Sequence, residues 1–200
     1  MAPRLVLASA SPRRRQLLQE AGLQFDVVVP DVKEASTRTL TIRELATQNA
    51  TRKAVAVARA HPDAVVLGAD TLVVLEGEPI GKPANLREAF KILQRLSGRE
   101  HQVCTAVFIC SAAQRAKLSF HVFSQVRFRA LRPAEIEAYL AKIDPLDKAG
   151  AYAAQGHGSE IIEKIRGSFT NVVGLPIGET LRALKRFNVR PGSVKAGGAV

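Results

Sequence analysis

Apolar and polar positions along this chain change period repeatedly, and each change marks an element. Val6, Leu7 and Ala8 close a short apolar strand, Ser11 has the side chain of an N-cap, and Pro12 suits a first helical position. A helix is therefore predicted from Pro12 to about Ala21, burying Leu17, Leu18 and Ala21 and stopping at Gly22. Phe25 to Val29 reads as a second strand and Pro30 to Leu40 as a polar connector. Thr41-Ile42-Arg43-Glu44 is a capping box that opens an alanine-rich helix running to about Ala60. Ala64 to Ala69 is wholly apolar, as expected of a central strand. It delivers Asp70 and Thr71 at its end, before Leu72 to Leu75 continue the extended chain.

Glu76-Gly77-Glu78 turns the chain into Pro79-Ile80, and the hairpin brings Gly81-Lys82-Pro83 back toward Asp70. Asn85 caps a helix over Leu86 to Leu96, with Ala89, Ile92, Leu93 and Leu96 at helical spacing. His101 to Cys110 and Leu118 to Phe128 are strands expected to pair antiparallel. Pro133 opens a helix to about Lys142. Leu146 to Gly158 is an irregular Gly/Ala-rich connector holding Asp147, Lys148, Tyr152, Gln155 and His157, and a connector of that length is more often functional than idle. Glu160 to Arg166 alternates as a strand, Gly167-Ser168 turns, and Phe169 to Val173 reads as a returning strand. A last helix follows Pro176, with Leu181, Leu184 and Phe187 on one face. One domain is expected over 1–188, with 189–200 a disordered tail that has little to bury.

Composition narrows the chemistry. With 46% hydrophobic and 24% charged residues, 200 residues can build one substantial core and room for two lobes. Lys and Arg outnumber Asp and Glu by 29 to 18, a net +11 that favours anionic partners. Aromatic residues are only 5% and Trp is absent, which argues against a stacking platform for single strands and moves small phosphorylated ligands ahead of nucleic acid. Cys104 and Cys110 lie six apart in one strand, on the same face but too distant for a disulfide, and read as buried thiols of a reducing compartment. No apolar run has the length of a membrane span and the N-terminus has no signal-peptide pattern, so a cytoplasmic protein without a membrane partner is expected.

The stretch Leu7-Ala8-Ser9-Ala10-Ser11-Pro12-Arg13-Arg14-Arg15 carries charges that its position disfavours. A helix start already has partial positive charge and free N–H donors, so arginines there cost stability unless an anion joins them. Strand, Ser-rich turn and an arginine-led helix make a phosphate site from backbone N–H groups and guanidinium forks. Asp70 is the leading acid, because a carboxylate on an apolar strand needs either a function or a dedicated partner. Glu34 is the second oxygen donor for a magnesium-type cation, which takes one or two carboxylates plus substrate phosphate oxygens. Lys82, held between Gly81 and Pro83, points in one direction, whereas Lys53 on pattern alone is a solvated helix lysine. His101 and His157 lack zinc-ligand spacing, Ser9 and Ser11 lack a local base, and no Walker or dinucleotide fingerprint is present.

Taken together, Leu7 to Arg15, Gly68-Ala-Asp-Thr71, Gly81-Lys-Pro83, Leu96-Ser-Gly-Arg-Glu-His101, Asp147-Lys-Ala-Gly-Ala-Tyr152 and Gly167-Ser168 with Val173-Gly-Leu-Pro176 resemble the Maf nucleotide pyrophosphatases, in order and spacing, from about Leu5 to Leu184. The resemblance implies an α/β fold, an elongated mixed β-sheet flanked by helices, with two lobes around a central cleft, similar to the inosine triphosphate pyrophosphatases. It implies hydrolysis of nucleoside triphosphates to monophosphate and pyrophosphate with a divalent cation, magnesium, manganese or cobalt. Carried over by position, it makes Asp70 the catalytic acid and, with Glu34, a metal ligand. Ser9, Arg13, Arg14, Lys53 and Lys82 become the triphosphate set, which overrides the solvated reading of Lys53. Asp147, Lys148 and Gln155 fall on the side holding the base. Arg13 directly after Ser-Pro, with Thr71 and the Asp-Lys-Ala-Gly-Ala-Tyr segment, resembles the branch acting on dTTP and UTP. Substrates of the 7-methyl-GTP or ITP/XTP type, or a nucleotide- or nucleic-acid-binding septum regulator without essential catalysis, are the alternatives. Lys33 stands where some relatives carry a second acid, which weakens the case for Glu34. An apolar edge and the resemblance together imply a homodimer.

Overall fold

The computed structural model describes residues 3–35, 37 and 39–192. Its elements are β1 (Leu5–Ala8), α1 (Pro12–Glu20), β2 (Asp26–Val28), α2 (Ile42–Ala60), β3 (Val65–Leu75), β4 (Glu78–Ile80), α3 (Leu86–Leu96), β5 (Glu100–Ser111), β6 (Ala116–Phe128), α4 (Pro133–Leu140), β7 (Ile162–Arg166), α5 (Phe169–Val173) and α6 (Ile177–Lys185). Short 3₁₀ turns at Ala149–Ala151 and Gly156–Glu160 sit in the connector after α4. The helix starts follow the side-chain signals in the sequence: Ser11, Thr41 and Asn85 each accept a backbone N–H of the first turn.

One mixed sheet runs β2-β1-β3-β5-β6-β7, with β4 pairing β3 off that path. β3, β5 and β6 have 11, 12 and 13 residues, about twice an ordinary strand, so they pass through both ends of the molecule. Around one end, Leu5, Leu7, Leu18, Leu67, Ile109, Leu184 and Phe187 form one core; around the other, Val73, Leu75, Leu93, Phe128, Ile136 and Tyr139 form a second. These are the two lobes, and the strands they share join them.

The edge of β3 facing away from β5 is divided. β1 lies along it parallel, opposite Val65 to Gly68, and β4 lies along it antiparallel, opposite Val73 to Leu75. Among the described residues, no strand faces residues 69–72 on that side. Because β1 is parallel and β4 antiparallel, the C-terminal ends of both run into this gap. One therefore delivers Ser9 and the start of α1, the other delivers Gly81 and Lys82.

Three sequence expectations change. β3 is one unbroken strand, so Asp70 lies at its middle and not at its end. Phe169 to Val173 is a helix, not a returning strand: the Ser168 hydroxyl accepts the Asn171 N–H at 3.1 Å and the chain stops at Gly174. Phe-Thr-Asn-Val-Val is too short for its period to separate strand from helix, and a side-chain cap decided it. The expected tail from 189 begins in packed structure, since Val189 is buried and the Gly192 N–H bonds the Gly22 carbonyl; 193–200 lie outside the described residues. Cys104 is buried and Cys110 half-buried, both as free thiols. Among the described residues no helix is long and apolar enough to cross a membrane.

Candidate active site

The gap beside β3 opens into a cleft lined by Arg13 and Arg14 of α1, Glu34 of the connector, Lys53 of α2, Asp70 and Thr71 of β3, Lys82 after β4, and Asp147 and Lys148 of the later connector. Ser9 lines its continuation around the start of α1, together with Arg13, Arg14, Glu34, Lys53, Lys82 and Asp147. Cations outnumber carboxylates, five to three, so the cleft as a whole favours an anion.

Asp70 owes its place to α2. That helix buries Leu45, Ala46, Asn49, Ala50, Lys53, Ala54 and Val57 on one side, and its alanines let it lie against β3. At Gly68 a Cβ would stand 2.5 Å from the Ala50 carbonyl oxygen and 2.8 Å from the Ala54 nitrogen, so only glycine permits the approach. Two residues on, the same face of β3 presents Asp70 to Asn49 and Lys53. Lys53 Nζ donates to Asp70 Oδ1 at 2.7 Å, with the two side chains only 10% and 7% exposed. Asn49 Nδ2 donates to Asp70 Oδ2 at 3.2 Å. Lys53 is thus not a solvated lysine: the face it occupies is the packed one.

Asn49 also fixes the connector, accepting the Ala35 N–H at 2.8 Å and donating to its carbonyl at 3.3 Å. This clamp sets Glu34 beside the site, where its Oε1 lies 2.6 Å from Lys53 Nζ. Partial burial would raise the Glu34 carboxyl, but the Lys53 hydrogen bond and the charges of Lys53, Lys82 and Arg14 hold it below the usual range.

Arg14 is held by the fold on three sides. Its Nε donates to the Gly174 carbonyl at 2.9 Å, Nη1 to Ser9 Oγ at 3.2 Å and Nη2 to Thr71 Oγ1 at 3.0 Å. Burial, with Arg13 adding to it, lowers its pKa from the ordinary guanidinium value, while Asp70 and Glu34 act in the opposite direction. Ser9 Oγ also accepts the Ser11 N–H at 3.2 Å, which makes it a fixed acceptor at the turn and not an activated nucleophile. Thr71 pairs with Thr105 Oγ1 at 2.9 Å, and Thr105 donates to the Asn171 carbonyl at 3.0 Å, so a buried polar chain ties α1, β3, β5 and α5 together.

Arg13 reaches across the mouth to Asp147 at 2.9 Å, and Asp147 also pairs with Lys148. Partial burial would raise the Asp147 carboxyl, but Lys148 and Arg13 hold it low. Past this bridge the lining becomes apolar: Val73, Ile80, Val103, Val172 and Tyr152. Val73 pairs with Ile80 on one side and Val103 on the other. The connector closes on them at Gly150, whose N–H bonds the Gly81 carbonyl at 3.1 Å and whose backbone, at φ 74°, comes so near Val73 that a Cβ would lie 3.0 Å from it. Gln155 is not among the residues lining this cleft; it immediately precedes the second 3₁₀ turn.

Asn49 and Tyr152 were not singled out from sequence as site residues. Asn49 had a signal, a polar residue four before Lys53 on an alanine stripe. Tyr152 had only its place in a motif. Behind it, His101 Nε2 lies 2.9 Å from Tyr152 Oη, in a core where burial pushes the histidine down to about 4.

Among the described residues no three or more His, Cys, Asp or Glu side chains group as a metal cage. The oxygens of Glu34 and Asp70 nevertheless converge on one ammonium ion, close enough together to share a cation. Two hard carboxylates with room for phosphate oxygens suit a magnesium-type ion.

A family model described as Maf-like protein matches residues 4–187. A dTTP/UTP pyrophosphatase of Akkermansia muciniphila is 46% identical over 190 residues, spanning 95% of this chain and 100% of that protein. A dTTP/UTP pyrophosphatase of Bacillus velezensis is 44% identical over 190 residues, with the same shares of each. Among solved structures, the Ham1 protein of Staphylococcus aureus aligns with 62% of this chain and 71% of its own, at 17% identity and a TM-score of 0.44.

Proposed function

The chain belongs to the Maf-like family, and from that premise we propose that it hydrolyses dTTP and UTP to the monophosphate and pyrophosphate. The observation that carries this reading is Asp70: a buried carboxylate set among the cations of an anion-binding cleft. A protein that only grips polyanions gains nothing from a carboxylate among its phosphate contacts, whereas hydrolysis needs a group to orient water and take its proton.

In this reading the triphosphate lies along Arg13, Arg14, Lys53 and Lys82, and the nucleoside extends toward Val73, Ile80, Val103 and Tyr152. Asp70 orients a water toward the α-phosphorus and accepts its proton. As the new P–O bond forms, the bond to the bridging oxygen breaks, and its electron pair leaves with pyrophosphate. The four cations meet that growing charge in a partly dry site, where it is worth most. Asp70 and Glu34 would hold a divalent cation, which supplies Lewis-acid polarisation of the phosphate oxygens when bound.

The test is pyrophosphate release with magnesium from UTP, dTTP, ITP and 7-methyl-GTP side by side. Release from UTP and dTTP ahead of the purine substrates is expected. Preference for ITP or 7-methyl-GTP would change the substrate, and no pyrophosphate from any of them would remove the enzymatic reading.

A further inference from the structure

The Lys53 ammonium is engaged by the protein's own oxygens before any phosphate arrives. It lies 2.6 Å from Glu34 Oε1, donates to Asp70 Oδ1 at 2.7 Å, and makes a longer contact with the Ala69 carbonyl at 3.5 Å. The second oxygen of Asp70 is occupied by Asn49. The residue meant to accept a proton from water is thus bonded at both oxygens, and the two carboxylates suited to a cation already share one.

A divalent ion entering beside this lysine would meet a like charge a few ångströms away, next to the buried Asp70 where screening by water is reduced. A triphosphate changes the balance. Arg14 is fixed by Gly174, Ser9 and Thr71 yet keeps two N–H protons uncommitted, so it anchors a phosphate at the open edge of β3. Lysine has a flexible stem of four carbons, and its ammonium can swing from the carboxylates to that phosphate.

We propose that Lys53 is the resident counter-cation of the Glu34–Asp70 pair, and that a divalent cation gains this pair only when a triphosphate draws the ammonium away. The inference rests on the pyrophosphatase reading of the cleft. It makes metal and nucleotide binding positively coupled and, by linkage, each tightens the other by the same factor. It also offsets one of the two negative charges of the pair while the cleft is empty.

The experiment measures Mn²⁺ alone on the free, full-length protein, by the paramagnetic resonance of unbound ion. Lys53→Met and Lys53→Gln are expected to bind Mn²⁺ at least about tenfold more tightly than the unaltered protein, equivalent to an electrostatic change of one decade in Kd. Adding Glu34→Gln to Lys53→Met should erase the gain. Equal or weaker binding by folded Lys53 variants overturns the proposal. If neither variant folds, the unaltered protein decides. The Lys53 side-chain nitrogen resonance should stay in place with Mg²⁺ alone and shift when Mg²⁺ and inorganic triphosphate are added together. A shift with Mg²⁺ alone overturns the proposal. None of these readouts uses turnover, so a protein that releases no pyrophosphate from dTTP or UTP refutes the substrate reading separately.

Discussion

Arg14 Nη2 donates to Thr71 Oγ1 at 3.0 Å, joining the first turn of α1 to the middle of β3 across 57 residues of sequence. Together with its bonds to Ser9 and Gly174, this makes one guanidinium the junction between the β1 turn, the divided edge of β3 and the end of α5. The charge is disfavoured at a helix start, and it is kept there by acceptors arriving from two other elements.

Lysine cannot copy a fork that bonds in three directions. Arg14→Lys keeps the charge but loses at least two buried hydrogen bonds, and is expected to lower stability by about 1–3 kcal/mol. Urea unfolding measures it. An unchanged midpoint would mean that the guanidinium contacts are incidental.

Asp70→Asn retains shape, and Lys53 keeps Glu34 as its partner, so the fold is expected to survive. Turnover should fall by about a hundredfold or more, the usual size of a general-base contribution. Pyrophosphate release together with a thermal melt checks both halves, and normal turnover would remove Asp70 from the mechanism.

Gly68→Ala should act at a distance from any ligand. Its methyl group meets α2 backbone, not a movable side chain, at 2.5 Å and 2.8 Å. The helix must shift, at about 1–3 kcal/mol, the common cost of overpacking. Because α2 carries Asn49 and Lys53, activity should fall more than the stability loss alone explains, which residual turnover well below the melting transition reports.

Arg13 and Asp147 are partly exposed, so their bridge contributes little stability, within about 1 kcal/mol. Arg13→Ala is expected to leave the melting temperature nearly unchanged while raising KM for the triphosphate about tenfold, the loss of one charge-assisted phosphate contact. Steady-state kinetics distinguish this from a fall in kcat.

Acid sensitivity follows from His101. Burial holds its folded pKa down to about 4, against 6.5 for the free side chain. Between those values the unfolded chain binds more protons than the folded one, so stability rises with pH through that window and is lost as pH falls through it. The loss amounts to at most about 3 kcal/mol from this residue. Glu34 and Asp147, both held below the usual carboxylate range, add to the loss at lower pH still. In His101→Gln the denaturant midpoint should change less between pH 6.5 and 4 than in the unaltered protein.

Much of this molecule is written locally. Ser11, Thr41 and Asn85 specify helix starts, because a cap is a contact between residues three apart, and the apolar run before Asp70 specifies a buried strand. The motif order was enough to indicate the family and to nominate Asp70, Glu34, Arg13, Arg14 and Lys82. Tertiary structure decided what those side chains bond. Lys53 on its own helix is an ordinary exposed type, and only the packing of the alanine stripe against Gly68 buries it between two carboxylates. Gln155 shares a segment with Asp147 and Lys148, yet of the three only those two line the cleft. The short segment from Phe169 became a helix through Ser168. The physical reason is range. Caps and periods act over three or four residues, while the site is assembled where β1 and β4 end on one edge of β3, a meeting of segments some 70 residues apart that no local pattern encodes.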